Sequence, residues 1–158
     1  MTSGTNGVPV EDRHHQLRQH ARGHARQLHV SADVDIVGLC DVNTTIVGSF
    51  IEVNLTDCKP RPMMFRSTSR LYDEVAPDAV FIITPPTLHF SNCMEALDRG
   101  CHVFVEKPMV TLAQDAYALK ERVDQTGRIL VIGYNTPVRR SSTICAARSG
   151  PSPSAAWN

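Results

Sequence analysis

The sequence contains no Gly-x-Gly. Its nine glycines, Gly4, Gly7, Gly23, Gly38, Gly48, Gly100, Gly127, Gly133 and Gly150, are scattered along the chain. Closely spaced glycines let backbone approach a phosphate at the start of a helix, so no phosphate-cradling glycine loop can be read from this chain. There is no Cys-x-x-Cys either. The five cysteines, Cys40, Cys58, Cys93, Cys101 and Cys145, are odd in number and widely spaced. They suggest neither a disulfide framework nor a zinc site, and a reducing cytoplasm is the expected compartment. An excess of one charge sign is also lacking. Sixteen Lys+Arg balance sixteen Asp+Glu, which argues against nucleic acid or a membrane surface as a partner recruited by bulk charge. No apolar run approaches the roughly 18 residues needed to cross a bilayer. Met1 to Val10 has no basic stretch leading into an apolar one, so no secretory signal is expected.

What remains is 158 residues, about one domain, with 42% apolar and 20% charged residues, a balance that suits a globular core. The text changes character twice. Residues 1–21 hold His14, His15 and His20, few aliphatics and no clean period. Past Asn135 the chain becomes Ser/Arg/Pro/Ala-rich, and residues 137–158 read as a disordered tail. Between these, short apolar runs alternate with amphipathic stretches. Val34 to Cys40 is strand-like and stops at Asp41. Ala79 to Ile83 is closed by Thr84-Pro85-Pro86, Cys101 to Val105 by Glu106-Lys107-Pro108, and Ile129 to Ile132 by Gly133. Such runs suit strands buried on both faces of a parallel sheet.

His89 to Arg99 carries Phe90, Cys93, Met94 and Leu97 at helical spacing and stops at Gly100. Thr111 to Thr126 aligns Leu112, Ala116, Leu119 and Val123 and stops at Gly127. Strand–helix alternation with short loops predicts an α/β fold with a doubly wound, mostly parallel sheet. Ligands of such sheets bind at the carboxyl ends of the strands. Asp41, Thr84-Pro85-Pro86 and Glu106-Lys107-Pro108 all fall there.

Residues 44–66 fit this scheme least. Thr44 to Ile51 is too β-branched for the helix expected there, and Lys59-Pro60-Arg61-Pro62 forbids one locally. Met63-Met64-Phe65 reads as core filler. Cys40 and Cys101 read as small core residues, and His24 and His29 as surface or packing residues. His14 and His15 do not share a helix face and make no metal pair. Arg139 and Arg140 do not make a nucleic-acid patch.

From about Arg22 to Asn135 the chain resembles the amino-terminal half of the Gfo/Idh/MocA oxidoreductase family. The resemblance rests on Arg22-Gly23-His24-Ala25, on Val37-Gly38-Leu39-Cys40-Asp41, and on Pro77-Asp78 through Thr84-Pro85-Pro86 followed by His89. Glu95-Ala96-Leu97, Gly100, His102-Val103, Glu106-Lys107-Pro108 and Gly133-Tyr134-Asn135 complete it. It implies a Rossmann-type nucleotide-binding domain over residues 22–136. The implied chemistry is hydride transfer between NAD(P) and a sugar, polyol or related alcohol.

The roles it implies are specific. Asp41 binds the adenosine ribose and favours NAD over NADP. Thr84, Pro85 and Pro86 line the nicotinamide side, with His89 beside them. Glu106 contacts the nicotinamide ribose. Lys107 is the catalytic residue that assists deprotonation of the substrate hydroxyl. Pro108 holds the strand end, in the family usually through a cis bond, and Asn135 closes the set.

The bland alternatives are an exposed strand-end lysine, a turn aspartate at Asp41 and a structural His89. Two family parts are not found. Asp12 to His20 is neither a strand nor a glycine loop, and the family's substrate domain has no counterpart after Asn135. Read one base onward, codons for His14 to His20 can spell Ile-Ile-Ser-Ser-Gly-Asn-Met. The expectation is therefore an incomplete, truncated or frameshifted domain. The alternatives are a non-catalytic remnant, a nucleotide-fold module, or a domain that associates with another chain.

Overall fold

The computed structural model describes residues 21–134. The readings made for residues 1–20, Asn135 and the tail lie outside these residues. Residues 21–29 are helical, α1. There follow β1 (Gly38–Cys40), α2 (Thr44–Asn54), β2 (Met63–Phe65), α3 (Thr68–Val75), β3 (Ala79–Ile82), a single 3-10 turn (Pro86–Leu88), α4 (His89–Asp98), β4 (His102–Glu106), α5 (Ala113–Thr126) and β5 (Leu130–Gly133). Every ladder is parallel: β1 pairs with β2, and β3, β4 and β5 form a three-stranded sheet in that order. Each step from strand to strand passes through a helix, so the expected α/β fold holds. Among the described residues no ladder joins β1 to β3. In the doubly wound order 3-2-1-4-5-6, the place between these two strands belongs to the first strand. No described helix is long and apolar enough to cross a membrane.

The expectation against a helix over Thr44–Ile51 is overturned, since α2 covers it. Its start is fixed by Asn43, whose side chain accepts from the Thr45 N–H at 3.1 Å. That contact satisfies one of the donors a helix start leaves bare. Val47 and Ile51 lie one turn apart, at 4% and 1% exposure, with Leu55 at 1% just beyond. A β-branched residue costs a few tenths of a kcal/mol in a helix. Burying a Val or Ile is worth about 1.5–3 kcal/mol, so packing wins. The helix ends before Pro60, and the proline motif never has to be helical.

Met63-Met64-Phe65 is a strand and not core filler. Phe65 is buried, but the two methionines are half exposed. Leu112 leaves its expected stripe: it precedes α5 in extended conformation and is exposed. Gly100 and Gly127 end α4 and α5 at φ +77° and +65°, as their positions in the sequence predict.

There are two cores. The larger packs Ile82, Val103 and Val105 of the three-stranded sheet against Cys93, Ala96 and Leu97 of α4 and Leu119 of α5. The smaller gathers Ala25 of α1 with Val47, Ile51 and Leu55. Burial on both sheet faces, as the apolar runs suggested, is not what is found. In β4, Val103 and Val105 are buried and Phe104 is half-buried, because α4 and α5 cover one face while α1 brings His24 to the other. Cys101 is a core residue as read, its thiol donating to the Pro77 carbonyl at 3.1 Å. Cys40 is only half-buried.

Helix α3 joins the two halves. Its Tyr72 belongs to the larger core, and its Leu71 and β2's Phe65 both lie over Gly38 of β1. Thr68 Oγ1 and Ser69 Oγ donate to the Glu95 carboxylate of α4 at 2.6 and 3.1 Å.

Burial pushes the Cys93 thiol from its ordinary value of 9.0 up to about 12 and pushes the Tyr72 hydroxyl above its ordinary value. Both groups fold neutral, so their contribution is complete below about pH 9 and is lost as pH rises toward 12. The melting midpoint is expected to fall across that range, and Cys93 is expected to resist alkylation at pH 8 until the chain unfolds. Leu119→Ala is expected to cost about 2–5 kcal/mol in a denaturant titration.

Candidate functional site

Ile82 of β3 pairs with Val105 of β4, which pairs with Ile132 of β5. The segments that follow, Thr84-Pro85 and Glu106-Lys107-Pro108, therefore leave neighbouring strands at the same end of the sheet. Glu106 is buried there, at 7% exposure. Its carboxylate is acceptor-only, and its two oxygens are held differently. Oε1 accepts from His24 Nε2 at 2.7 Å, and Oε2 from the Lys107 backbone N–H at 3.2 Å. Gly133 makes the floor: a Cβ there would lie 2.9 Å from Phe104 Cζ and 3.3 Å from Glu106 Oε1. Glycine is required by close approach at this position.

His89 opens α4 and is 1% exposed. Its Nδ1 lies 2.7 Å from the Pro108 carbonyl and its Nε2 lies 2.8 Å from the Thr84 carbonyl. Carbonyl oxygens only accept, so the ring donates to the carbonyl that faces its N–H and lies in close contact with the other. His89 thus ties the β3 loop to the β4 loop rather than facing outward. Asn92 Nδ2 donates to Thr84 Oγ1 at 3.1 Å and fixes the same residue from the next turn of α4. Thr84 and Pro86 are half-buried, and Pro85 is exposed. The Lys107–Pro108 bond is cis, as the resemblance implies. Lys107 is exposed beyond it, and no described carboxylate pairs with its amine.

Asp41 follows β1 in the other half of the sheet and is exposed. Its Oδ1 accepts the Asn43 N–H at 2.8 Å, the turn role that stood as its bland alternative. Oδ2 has no described partner. The structure therefore brings Thr84, Pro85, Pro86, His89, Glu106, Lys107 and Pro108 to one end of the three-stranded sheet, and places Asp41 after β1. Asn135 lies outside the described residues. A cavity of about 320 Å³, lined by Tyr72, Asp78, Arg99, Cys101, His102 and Arg128, lies at the opposite, amino ends of β3 and β4. It shares none of these site residues.

The sequence reading missed His24. It was expected at the surface or in packing, yet it reaches the Glu106 carboxylate and meets the Phe104 ring edge-on at 4.9 Å. The signal was helical spacing: His24, Ala25, Leu28 and His29 form the inward stripe of α1. His29 on that stripe meets Cys58, Nδ1 to Sγ at 3.0 Å. Among the described residues no group of three or more metal-ligating side chains occurs.

His89→Phe keeps the ring volume but removes the donor, and a buried carbonyl left without one costs roughly 1–3 kcal/mol. The variant is expected to melt lower, and proteolysis is expected to cut first at the Thr84 and Pro108 loops.

A family model described as oxidoreductase family, NAD-binding Rossmann fold, matches residues 5–134. The match begins well before Arg22, where the resemblance in the sequence begins. The scyllo-inositol 2-dehydrogenase (NAD(+)) of Bacillus subtilis is 37% identical over 57 residues, 36% of this chain and 17% of that protein. Glucose-6-phosphate 3-dehydrogenase of the same organism is 25% identical over 115 residues, 73% of this chain and 31% of that protein. A putative myo-inositol dehydrogenase from Sinorhizobium meliloti superimposes with a TM-score of 0.62 at 23% identity, over 73% of this chain and 33% of that one. The WlbA dehydrogenase from Bordetella pertussis, solved with NADH and UDP-GlcNAcA, gives 0.61 at 23%, over 72% and 32%. At that identity the structural likeness concerns the fold. The chain spans no more than about a third of the length of these relatives. On its fold and on a family match over most of its length, the chain belongs to the Gfo/Idh/MocA oxidoreductases, through their NAD-binding Rossmann part.

Proposed function

We propose that these residues form the cofactor half of an NAD-dependent dehydrogenase that oxidises an alcohol carbon of a sugar or polyol. The observation that carries this is the shared strand end at which Glu106 and Lys107 sit beside a Thr84 loop locked by His89. A nicotinamide dinucleotide, when bound, supplies the acceptor for the substrate's hydride. The residues present suit it. Glu106 keeps lone pairs beyond the two it uses, and they serve as acceptors for a ribose hydroxyl. Asp41 offers Oδ2 to the adenosine ribose, and its charge repels the additional phosphate of NADP. Lys107 holds the substrate hydroxyl and takes its proton as the hydride leaves the carbon.

A second reading is a module that binds dinucleotide without turnover. It is favoured by the exposure of Lys107, over which no described residue builds a substrate wall. Titration by NADH fluorescence and a polyol turnover assay separate the two. NADH is expected to bind at least about tenfold more tightly than NADPH, the scale of one like-charge contact. Asp41→Ala is expected to narrow that gap. Lys107→Met is expected to keep NADH binding and lose about 10²–10⁴-fold in turnover. Binding with no turnover by the unaltered chain selects the module. No binding of either nucleotide rejects both readings.

A further inference from the structure

We infer that His24 is a positioning residue that holds the Glu106 carboxylate in its cofactor-facing orientation. The inference rests on the NAD reading above for what Glu106 meets, and on geometry alone for what holds it.

Glu106 sits on β4 and His24 on α1, 82 positions apart in sequence. Their contact at 2.7 Å is the one side-chain hydrogen bond between α1 and the three-stranded sheet among the described residues. The histidine ring is not free to be elsewhere. It packs edge-on against Phe104 at 4.9 Å and tilts over Phe81 at 5.9 Å, and those two rings stack on each other at 4.9 Å. That apolar platform fixes the ring's plane and points Nε2 at Oε1. On the other side, the missing side chain of Gly133 leaves the space that the carboxylate fills.

Glu106 is therefore enclosed by α1, β4 and β5. A carboxylate this buried is costly unless donors reach its oxygens. The Lys107 N–H occupies Oε2 from the chain itself. His24 is the only side-chain donor to Glu106 among the described residues. Without it, Oε1 turns toward water, and the acceptor that the ribose needs moves with it. The Lys107 backbone moves too, because it is tied to the same carboxylate. His24 thus transmits the position of α1 to the strand end that carries the chemistry, without touching cofactor or substrate.

The test compares His24→Gln, which keeps a donor near the same place, with His24→Leu, which keeps bulk and loses the donor. It reads the Glu106 side-chain carboxyl ¹³C signal in the cofactor-free chain and the NADH affinity by fluorescence. The carboxyl signal is expected to hold in His24→Gln and to shift in His24→Leu. NADH affinity is expected to hold within about threefold in the first and to fall roughly tenfold in the second, the scale of one hydrogen bond to a charged group. Gly133→Ala pushes the carboxylate from the other side and is expected to shift the same signal with the His24 donor intact. It therefore serves if His24→Leu does not fold by circular dichroism. A carboxyl signal unmoved in both His24→Leu and Gly133→Ala overturns the inference. So does equal loss of affinity in His24→Gln and His24→Leu. A chain that binds no NADH but shows the carboxyl pattern refutes the NAD reading and leaves the positioning of Glu106 supported.

Discussion

Among the described residues the strands form two separate ladders, and side chains of α1 and α3 span the two. Between β1 and β3 no strand exchanges hydrogen bonds among the described residues. The halves are joined instead by one helix on each face. On one face, α3 inserts Tyr72 into the larger core and packs Leu71 on Gly38, while Thr68 and Ser69 share the Glu95 carboxylate of α4. On the other, α1 sets Ala25 into the smaller core and reaches across to Glu106 with His24. Parallel ladders distribute their strength over many equivalent bonds. Among the described residues, the contacts between the two ladders come from a few side chains of α1 and α3.

That arrangement explains why the candidate site is rich in internal polar contacts. Strand ends expose carbonyls that the ladder no longer satisfies, and a buried carbonyl without a donor is costly. The His89 ring lies between two of them, on adjacent loops, and its N–H donates to one. Glu106 accepts from α1 and from its own neighbour. The same contacts that satisfy the backbone also fix Thr84, Lys107 and Pro108 relative to one another. Stability and function are not separate demands at this end of the sheet. What keeps its loops from dissolving into water also presets the geometry a ligand meets.

Much of this was legible in the sequence because parallel strands and their closing residues leave strong local marks. The apolar runs Ala79 to Ile83 and Cys101 to Val105 stop where a proline motif begins and contain most of β3 and β4, and Gly100 and Gly127 stand where left-handed backbone ends a helix. The failures share a different cause. The α2 helix was hidden because propensity was read without burial, and Val47 and Ile51 gain more from the core than they lose in the helix. Leu112 fell off its stripe because α5 starts at Ala113, two residues later than its spacing suggested. Of the site, strand-end residues could be seen because they are local in sequence. The partnership of His24 with Glu106 could not, since 82 positions separate the two and only the packed helix brings them together.

The candidate site and the cavity lie at opposite ends of the sheet. The cavity at the amino ends of β3 and β4 is lined by Arg99, Arg128 and Tyr72, yet the residues suited to a dinucleotide gather at the carboxyl ends, as in other doubly wound sheets. There the described residues form an open shelf, with Lys107 and Asp41 both exposed. An open shelf gains little from excluding water, so a ligand held there depends on polar groups that are already in place when it arrives. That puts the weight on the residues that fix Glu106 and Thr84 and not on those that line a pocket. The most buried polar side chain at this end is His89, at 1% exposure, with a carbonyl close to each ring nitrogen. Its imidazole bridges the loops that carry Thr84 and Pro108.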